Sequence, residues 1–160
     1  MAAKKTKSVE DGVKIIAKNR KAFHEYEILE RLEAGLVLLG TEVKALRNGR
    51  CSLGDSYGEI RSGEAWLSKM HIGPYEMGNR ENHEPFRRRK LLLNRREIRK
   101  MKPKLDEKGL TLIPLRIYFK HGIVKIELGL GRGKKIHDKR QSKAKKDVEM
   151  RMRREIGKRS

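Results

Sequence analysis

Two stretches of the chain hold residues whose types and spacing could do chemistry. His137-Asp138 has the makings of an orienting pair for acid–base catalysis, and Gly129, Gly131 and Gly133 ahead of Lys134-Lys135 have the outline of a phosphate-cradling loop. Neither pattern is complete. A phosphate loop needs glycine where Leu128 stands, and a magnesium-holding Ser or Thr where Lys135 stands. His137 has no nucleophile at a supporting position, and a highly charged tail lacks the preorganisation that proton transfer demands. Cys51 is the sole cysteine, so it can form no internal disulfide and complete no zinc finger. His24, His71, His83, His121 and His137 never fall at metal-ligand spacing. The expectation is therefore a protein that is not an enzyme, with no metal, no cofactor and no small-molecule substrate.

What remains is positive charge. The 160 residues carry 41 Lys+Arg against 21 Asp+Glu, a formal net charge of +20, which predicts a polyanionic partner. No apolar run approaches the roughly 20 residues needed to span a bilayer, and no signal-like apolar region follows the basic start. Nucleic acid is favoured over membrane, and the expected location is cytoplasmic. Basic clusters at Arg87-Arg88-Arg89-Lys90 and Lys134-Lys135 read as exposed loop and strand-end contacts for RNA. Glu25, Glu27, Glu30 and Glu33 complicate this. Either they point away from RNA, or some accept hydrogen bonds from base amino groups or ribose hydroxyls. With only Trp66, four Tyr and three Phe, recognition of a folded RNA's shape and backbone fits better than serial base stacking.

The elements that must position these residues can be read from periodicity. Residues 1–21 form a basic arm, loose apart from a helical turn or two around Val13, Ile15 and Ile16. From His24, Tyr26, Ile28, Leu32, Ala34, Leu36 and Leu38 alternate as a long strand. A short helix follows, with Thr41 as N-cap, Val43 and Leu46 inward and Gly49 as its stop. Ser62-Gly63 turns a hairpin, and residues 73–89 make an exposed basic loop. Asn94 and Glu97 make a capping box for a helix ending before Pro103. His121-Gly122 turns a second hairpin between Ile113, Leu115, Ile117, Phe119 and Val124, Ile126, Leu128, Leu130. This is mainly β: an antiparallel barrel with short capping helices over 22–130, an open sheet packed on helices being the alternative. Residues 130–160 hold 13 Lys+Arg against 4 Asp+Glu. The tail, 131–160, should be disordered when alone, yet Ala144, Val148, Met152 and Ile156 repeat every four residues, so a helix could form on a partner.

Several blocks then resemble a known family in order. Asn19-Arg20-Lys21-Ala22-Phe23-His24-Glu25-Tyr26, Glu33-Ala34-Gly35-Leu36 and Gly40-Thr41-Glu42-Val43-Lys44-Ala45-Leu46-Arg47 are similar to signature blocks of small protein B, the SsrA-binding family. So are Asp55-Ser56-Tyr57, Gly78-Asn79, Asn82-His83, Arg89-Lys90-Leu91-Leu92-Leu93-Asn94, Val124-Lys125, and Gly133-Lys134-Lys135 through Asp138-Lys139-Arg140. The resemblance implies an OB-fold-like barrel that binds the tRNA-like domain of transfer-messenger RNA (tmRNA). It also implies delivery of that RNA to stalled bacterial ribosomes for trans-translation, with small-subunit rRNA as a further partner. Carried over by position, RNA contacts fall on His24, Glu33, Leu92, Asn94, Lys125, Lys134 and Lys135, and ribosome contacts on His137, Asp138, Lys139 and Arg140. His137 stands where Tyr is common. Gly131 stands where Ala is frequent, which should loosen the root of the tail. Leu92 reads equally as core or contact. A basic ribosomal or ribosome-assembly protein is the competing assignment.

Overall fold

The alternating residues on either side of His121-Gly122 form the longest strand pair, β8 (Leu110–Lys120) and β9 (Ile123–Gly133). Both turn residues have positive φ, 50° at His121 and 80° at Gly122, as a tight two-residue hairpin turn requires. The computed structural model describes residues 12–77, 82–107, 109–134 and 147–154. Ahead of β8 come β1 (Val13–Lys18), helix α1 (Arg20–Glu25), β2 (Tyr26–Leu36), α2 (Gly40–Arg47) and β3 (Cys51–Ser52). Then follow β4 (Tyr57–Arg61), β5 (Glu64–Ser68), β6 (His71–Ile72), β7 (Arg89–Leu92) and α3 (Arg95–Asp106). Residues 147–154 form a further helix in the chain alone, within the four-residue repeat expected to become helical only on a partner.

The sheet runs β1-β8-β4-β5-β7-β2-β9, every pairing antiparallel, and β9 pairs back onto β8. Six strands thus close into a small OB-like barrel, and β1 adds to β8 outside that ring as an edge strand. One edge of β8 is shared: β1 takes residues 116–120 and β4 takes Leu112. Buried Asn19 stitches the gap. Its amide donates to Pro114 O at 2.9 Å and Leu53 O at 3.4 Å, and its backbone N–H to Leu115 O at 2.8 Å.

Beside an irregularity on β1 between Ile15 and Ala17, two β-bulges decide which face the apolar residues of β2 and β8 occupy. Register slips between Ile28 and Glu30 on β2, and between Pro114 and Arg116 on β8. An extra residue reverses the inward parity beyond it. Ile117 and Phe119 therefore enter the barrel core with Leu112, Ile126 and Leu128, while Ile113 and Leu115 face outward into a second cluster under Ala22 of α1. The expectation that all four alternating residues of this strand share one face is corrected.

Other expectations also shift. The arm is not loose over Val13–Lys18, which hydrogen-bonds β8 as a strand. The α2 helix is capped at Leu39 rather than Thr41: Glu42 Oε1 accepts the Leu39 N–H at 2.8 Å, and the Thr41 hydroxyl lies 3.0 Å from His83 Nδ1. Gly49 ends α2 at φ 72° as expected. The Asn94–Glu97 capping box is present, with bonds of 2.9 and 3.2 Å. The helix nevertheless continues through Pro103 to Asp106. A proline inside a helix costs about 3 kcal/mol. Here the final turn is retained because Leu105 packs on the core, Lys104 pairs with Glu30, and Lys102 meets Asp106 at 3.1 Å. Finally, β9 runs to Gly133, beyond the expected tail boundary at 131. Gly131 pairs with both Ile28 and Thr111, and a Cβ there would lie 2.8 Å from Ile113 Cδ1, so this glycine is packed in rather than a loosened root.

Candidate RNA interface

The register places residues from five strands in two rows on the outside of the barrel. Leu92, Gly35, Lys125, Tyr118 and Ile15 follow one another across β7, β2, β9, β8 and β1. The adjacent row is Glu33, Glu127, Arg116 and Lys18. Both lie outside because the intervening residues, Ala34, Ile126 and Ile117, fill the core. Three residues singled out from sequence, Glu33, Leu92 and Lys125, thus meet on one surface. Leu92 is 53% exposed, which resolves its role against core packing. Gly35 leaves the space beside it, since a Cβ there would lie 3.3 Å from Leu92 Cβ.

Charge on this surface is mixed but organised. Tyr118 donates its hydroxyl to Glu33 Oε2, and Lys120 Nζ lies 3.4 Å from both Glu33 oxygens. The Tyr118 hydrogen bond, supported by Lys120 and Lys125, holds Glu33 below the ordinary carboxylate range despite partial desolvation. Burial, then the bond to Glu33, pushes the Tyr118 phenol upward. Glu127 is bracketed by Arg31 at 3.6 Å and Arg116 at 3.5 Å, and Arg31 lies over the exposed Phe23 ring, 5.5 Å from its centroid. Phe23 belongs to α1, so the surface continues toward that helix, where His24 is exposed.

The remaining expected contacts divide. Asn94 is exposed, but its side-chain oxygen is committed to capping α3, which leaves the amide nitrogen as its donor. Lys134 is tied to α1, its N–H donating to Glu25 O at 2.9 Å and its Nζ to Phe23 O at 3.2 Å. Lys135, His137, Asp138, Lys139 and Arg140 lie outside the described residues. Sequence reasoning missed Arg116, Tyr118 and Lys120. They alternate with Ile117 and Phe119, and that parity is the signal that puts them on the outer face.

The basic run 87–90 is not a uniform exposed loop. Arg89 is fully buried and pairs with Glu42, itself fully buried, while donating to Met70 O at 2.7 Å and Pro85 O at 3.2 Å. Arg87 reaches the other Glu42 oxygen at 2.6 Å. Burial pushes the Glu42 carboxyl up, yet hydrogen bonds from Arg87, the Leu39 N–H and Arg89 overcome it and hold the group below its usual range. Arg88 and Lys90 point outward instead. Arg88 lies 4.9 Å from the Trp66 ring centroid, and Lys90 Nζ lies 3.2 Å from Glu64.

Among the described residues no cluster of His, Cys, Asp and Glu could hold a metal ion, and no helix is long and apolar enough to cross a membrane. Comparison with known proteins gives a consistent result. The family model described as SmpB protein matches residues 16–158. The SsrA-binding protein of Carboxydothermus hydrogenoformans is 61% identical over 135 residues, 84% of this chain and 91% of its own length. That of Desulfitobacterium hafniense is 58% identical over 138 residues, covering 86% and 88%. A solved chain described as "tmRNA-SmpB: a journey to the center of the bacterial ribosome" superposes with a TM-score of 0.65 at 50% identity, covering 75% of this chain and 85% of that one. Sequence blocks, closed barrel and matched relatives agree: this chain belongs to the SmpB family.

Proposed function

We propose that the chain binds the tRNA-like domain of tmRNA with the outer face of its barrel and delivers it to stalled bacterial ribosomes for trans-translation. The work is cytoplasmic and non-enzymatic: the chain rescues ribosomes by recognition and leaves the chemistry to them. The observation that carries the reading is the convergence of Glu33, Leu92 and Lys125 from three strands, with Lys120, Arg116 and Arg31 around them. Cations there neutralise phosphates, Glu33 accepts hydrogen bonds from ribose or base donors, and Leu92 offers an apolar surface to a base or sugar. His24 and Asn94 extend the contact at either end.

The tail has a separate task in this reading. Lys134 is fastened to α1, and beyond it Lys135, His137, Asp138, Lys139 and Arg140 meet small-subunit rRNA. The basic helix at 147–154 exposes Val148 and Met152 as one four-residue step of an apolar stripe for a ribosomal groove. The test is a titration of the tRNA-like domain, with ordinary tRNA as competitor, against the full chain and a chain ending at Lys134. Most affinity and the preference for tmRNA should survive the truncation, while peptide tagging on stalled ribosomes is lost. Loss of binding at moderate salt would refute this division of labour. Replacing Asp138-Lys139-Arg140 by alanines should likewise spare binding and block tagging.

A further inference from the structure

Tyr118 rises from β8 beside Lys125, its register partner on β9, and its hydroxyl reaches Glu33 on β2. Neighbouring strands lie about 4.8 Å apart, so the side chain spans β9 completely. The residue is only 3% exposed, and a buried phenol hydroxyl needs a partner. The partner it meets is a carboxylate whose side chain is 38% exposed, on the surface assigned to RNA. Lys120 also approaches Glu33, but at 3.4 Å from both oxygens and on a flexible stem, so it neutralises without selecting an orientation.

We infer that Tyr118 is a positioning residue for RNA binding: its hydroxyl fixes Oε2 of Glu33, so that Oε1 is presented to a ribose 2′-hydroxyl or base amino group of the bound RNA. The inference rests on the reading that Glu33 touches tmRNA. An ionised carboxylate accepts on both oxygens, whereas a protonated one turns one of them into a donor and loses that match. The groups facing Glu33 are Tyr118, Lys120 and Arg116 on β8, Lys125 and Glu127 on β9, and Arg31 along β2, while β7 contributes apolar Leu92. The Tyr118 bond is foremost among the contacts that keep Glu33 ionised.

The test uses full-length Tyr118→Phe, Glu33→Gln and the double variant. Each is titrated with the tRNA-like domain from acid to neutral pH, with melting temperatures recorded alongside. The Glu33→Gln profile supplies the RNA's own titration as a baseline. Losing one hydrogen bond should weaken Tyr118→Phe by about 3- to 10-fold and move its acid limb to higher pH. The double variant should bind no more weakly than Glu33→Gln. Carboxyl NMR of the free proteins should show Glu33 titrating at higher pH in Tyr118→Phe, independently of RNA. Unchanged affinity and acid limb in Tyr118→Phe, or losses that add in the double variant, would overturn the positioning role. If Glu33→Gln binds like the parent chain, the reading of Glu33 as a contact fails and takes the inference with it.

Discussion

Glu42 and Glu33 meet the same kinds of partner in opposite settings. Glu42, under the cap formed by α2 and the segment before β7, is saturated: the Leu39 N–H, Arg87 and Arg89 fill both oxygens, and no part of its side chain reaches solvent. Glu33, on the open face, has Tyr118 and Lys120 and still faces water. The first carboxylate is spent on holding the chain together. The second keeps capacity for a ligand. Residue type and net charge therefore do not separate the two carboxylates, and commitment to other partners does.

The largest effect expected from this contrast is on stability. Glu42→Ala leaves Arg89 buried without its counter-charge, a change that costs about 3–5 kcal/mol. Urea unfolding should report it as a fall in midpoint. Replacing the pair together, Glu42→Leu with Arg89→Met, should recover much of that loss, since well-packed apolar substitutes for a buried pair are often neutral or better. A mild effect of Glu42→Ala alone would mean that water reaches this site, and the two carboxylates would not differ as described.

Gly131 gives an intermediate case, on the outer face but covered by the Ile113 and Tyr26 side chains. Gly131→Ala brings a methyl to 2.8 Å from Ile113 Cδ1 and 3.1 Å from Tyr26 Cβ. Ile113 can swing its terminal methyl but Tyr26 is held at its backbone, so the cost should be about 1 kcal/mol of overpacking, read from thermal unfolding. Lys125→Ala on the open face should change stability still less. It should instead reduce the slope of log affinity against log salt by about one unit, the signature of one lost phosphate contact. An unchanged slope would remove Lys125 from the interface.

How far the sequence could be read follows the same division. The hairpin turns at Ser62-Gly63 and His121-Gly122, the Asn94–Glu97 cap and the run of short antiparallel strands were visible because each depends on local pattern, whereas closure of the barrel rests on pairings such as β2 with β9 that join distant residues. The bulges near Leu29 and Leu115 were not, because one extra residue leaves apolar alternation intact while reversing which side is buried. Arg89 was hidden within a basic run, although it alternates with Arg88 and Lys90 and shares the inward parity of Leu91. That parity also marks Leu92 as outward. The Tyr118–Glu33 bond joins positions 85 residues apart, and spacing along the chain carries no trace of it. The contact residues themselves came from family resemblance. What geometry adds is that Glu33, Leu92 and Lys125 share a surface.

The smallest expected effect is also the sharpest form of the comparison. Glu33→Gln keeps the size of the side chain and a hydrogen-bond acceptor for Tyr118, and removes only the charge. Exposed ion pairs contribute about 0–1 kcal/mol, so unfolding at neutral pH should shift by no more than about 0.5 kcal/mol. Its pH dependence has a definite sign. A carboxyl held below its ordinary value of 4.5 adds stability above that value and loses it as pH falls through the lowered one. Tyr118, pushed above its ordinary value of 10.0, adds stability below that value and loses it as pH rises through the raised one. Between those limits the stability difference between parent and Glu33→Gln should be flat. Below about pH 4.5 the two curves should converge as the parent protonates Glu33, and at alkaline pH both should fall as Tyr118 ionises. Over the flat range, affinity for the tRNA-like domain should drop in Glu33→Gln while stability stays nearly constant. Melting curves and titrations over the same pH series check this directly. A stability loss as large as that of Glu42→Ala would show that Glu33 is structural and that the open face holds no spare acceptor for RNA.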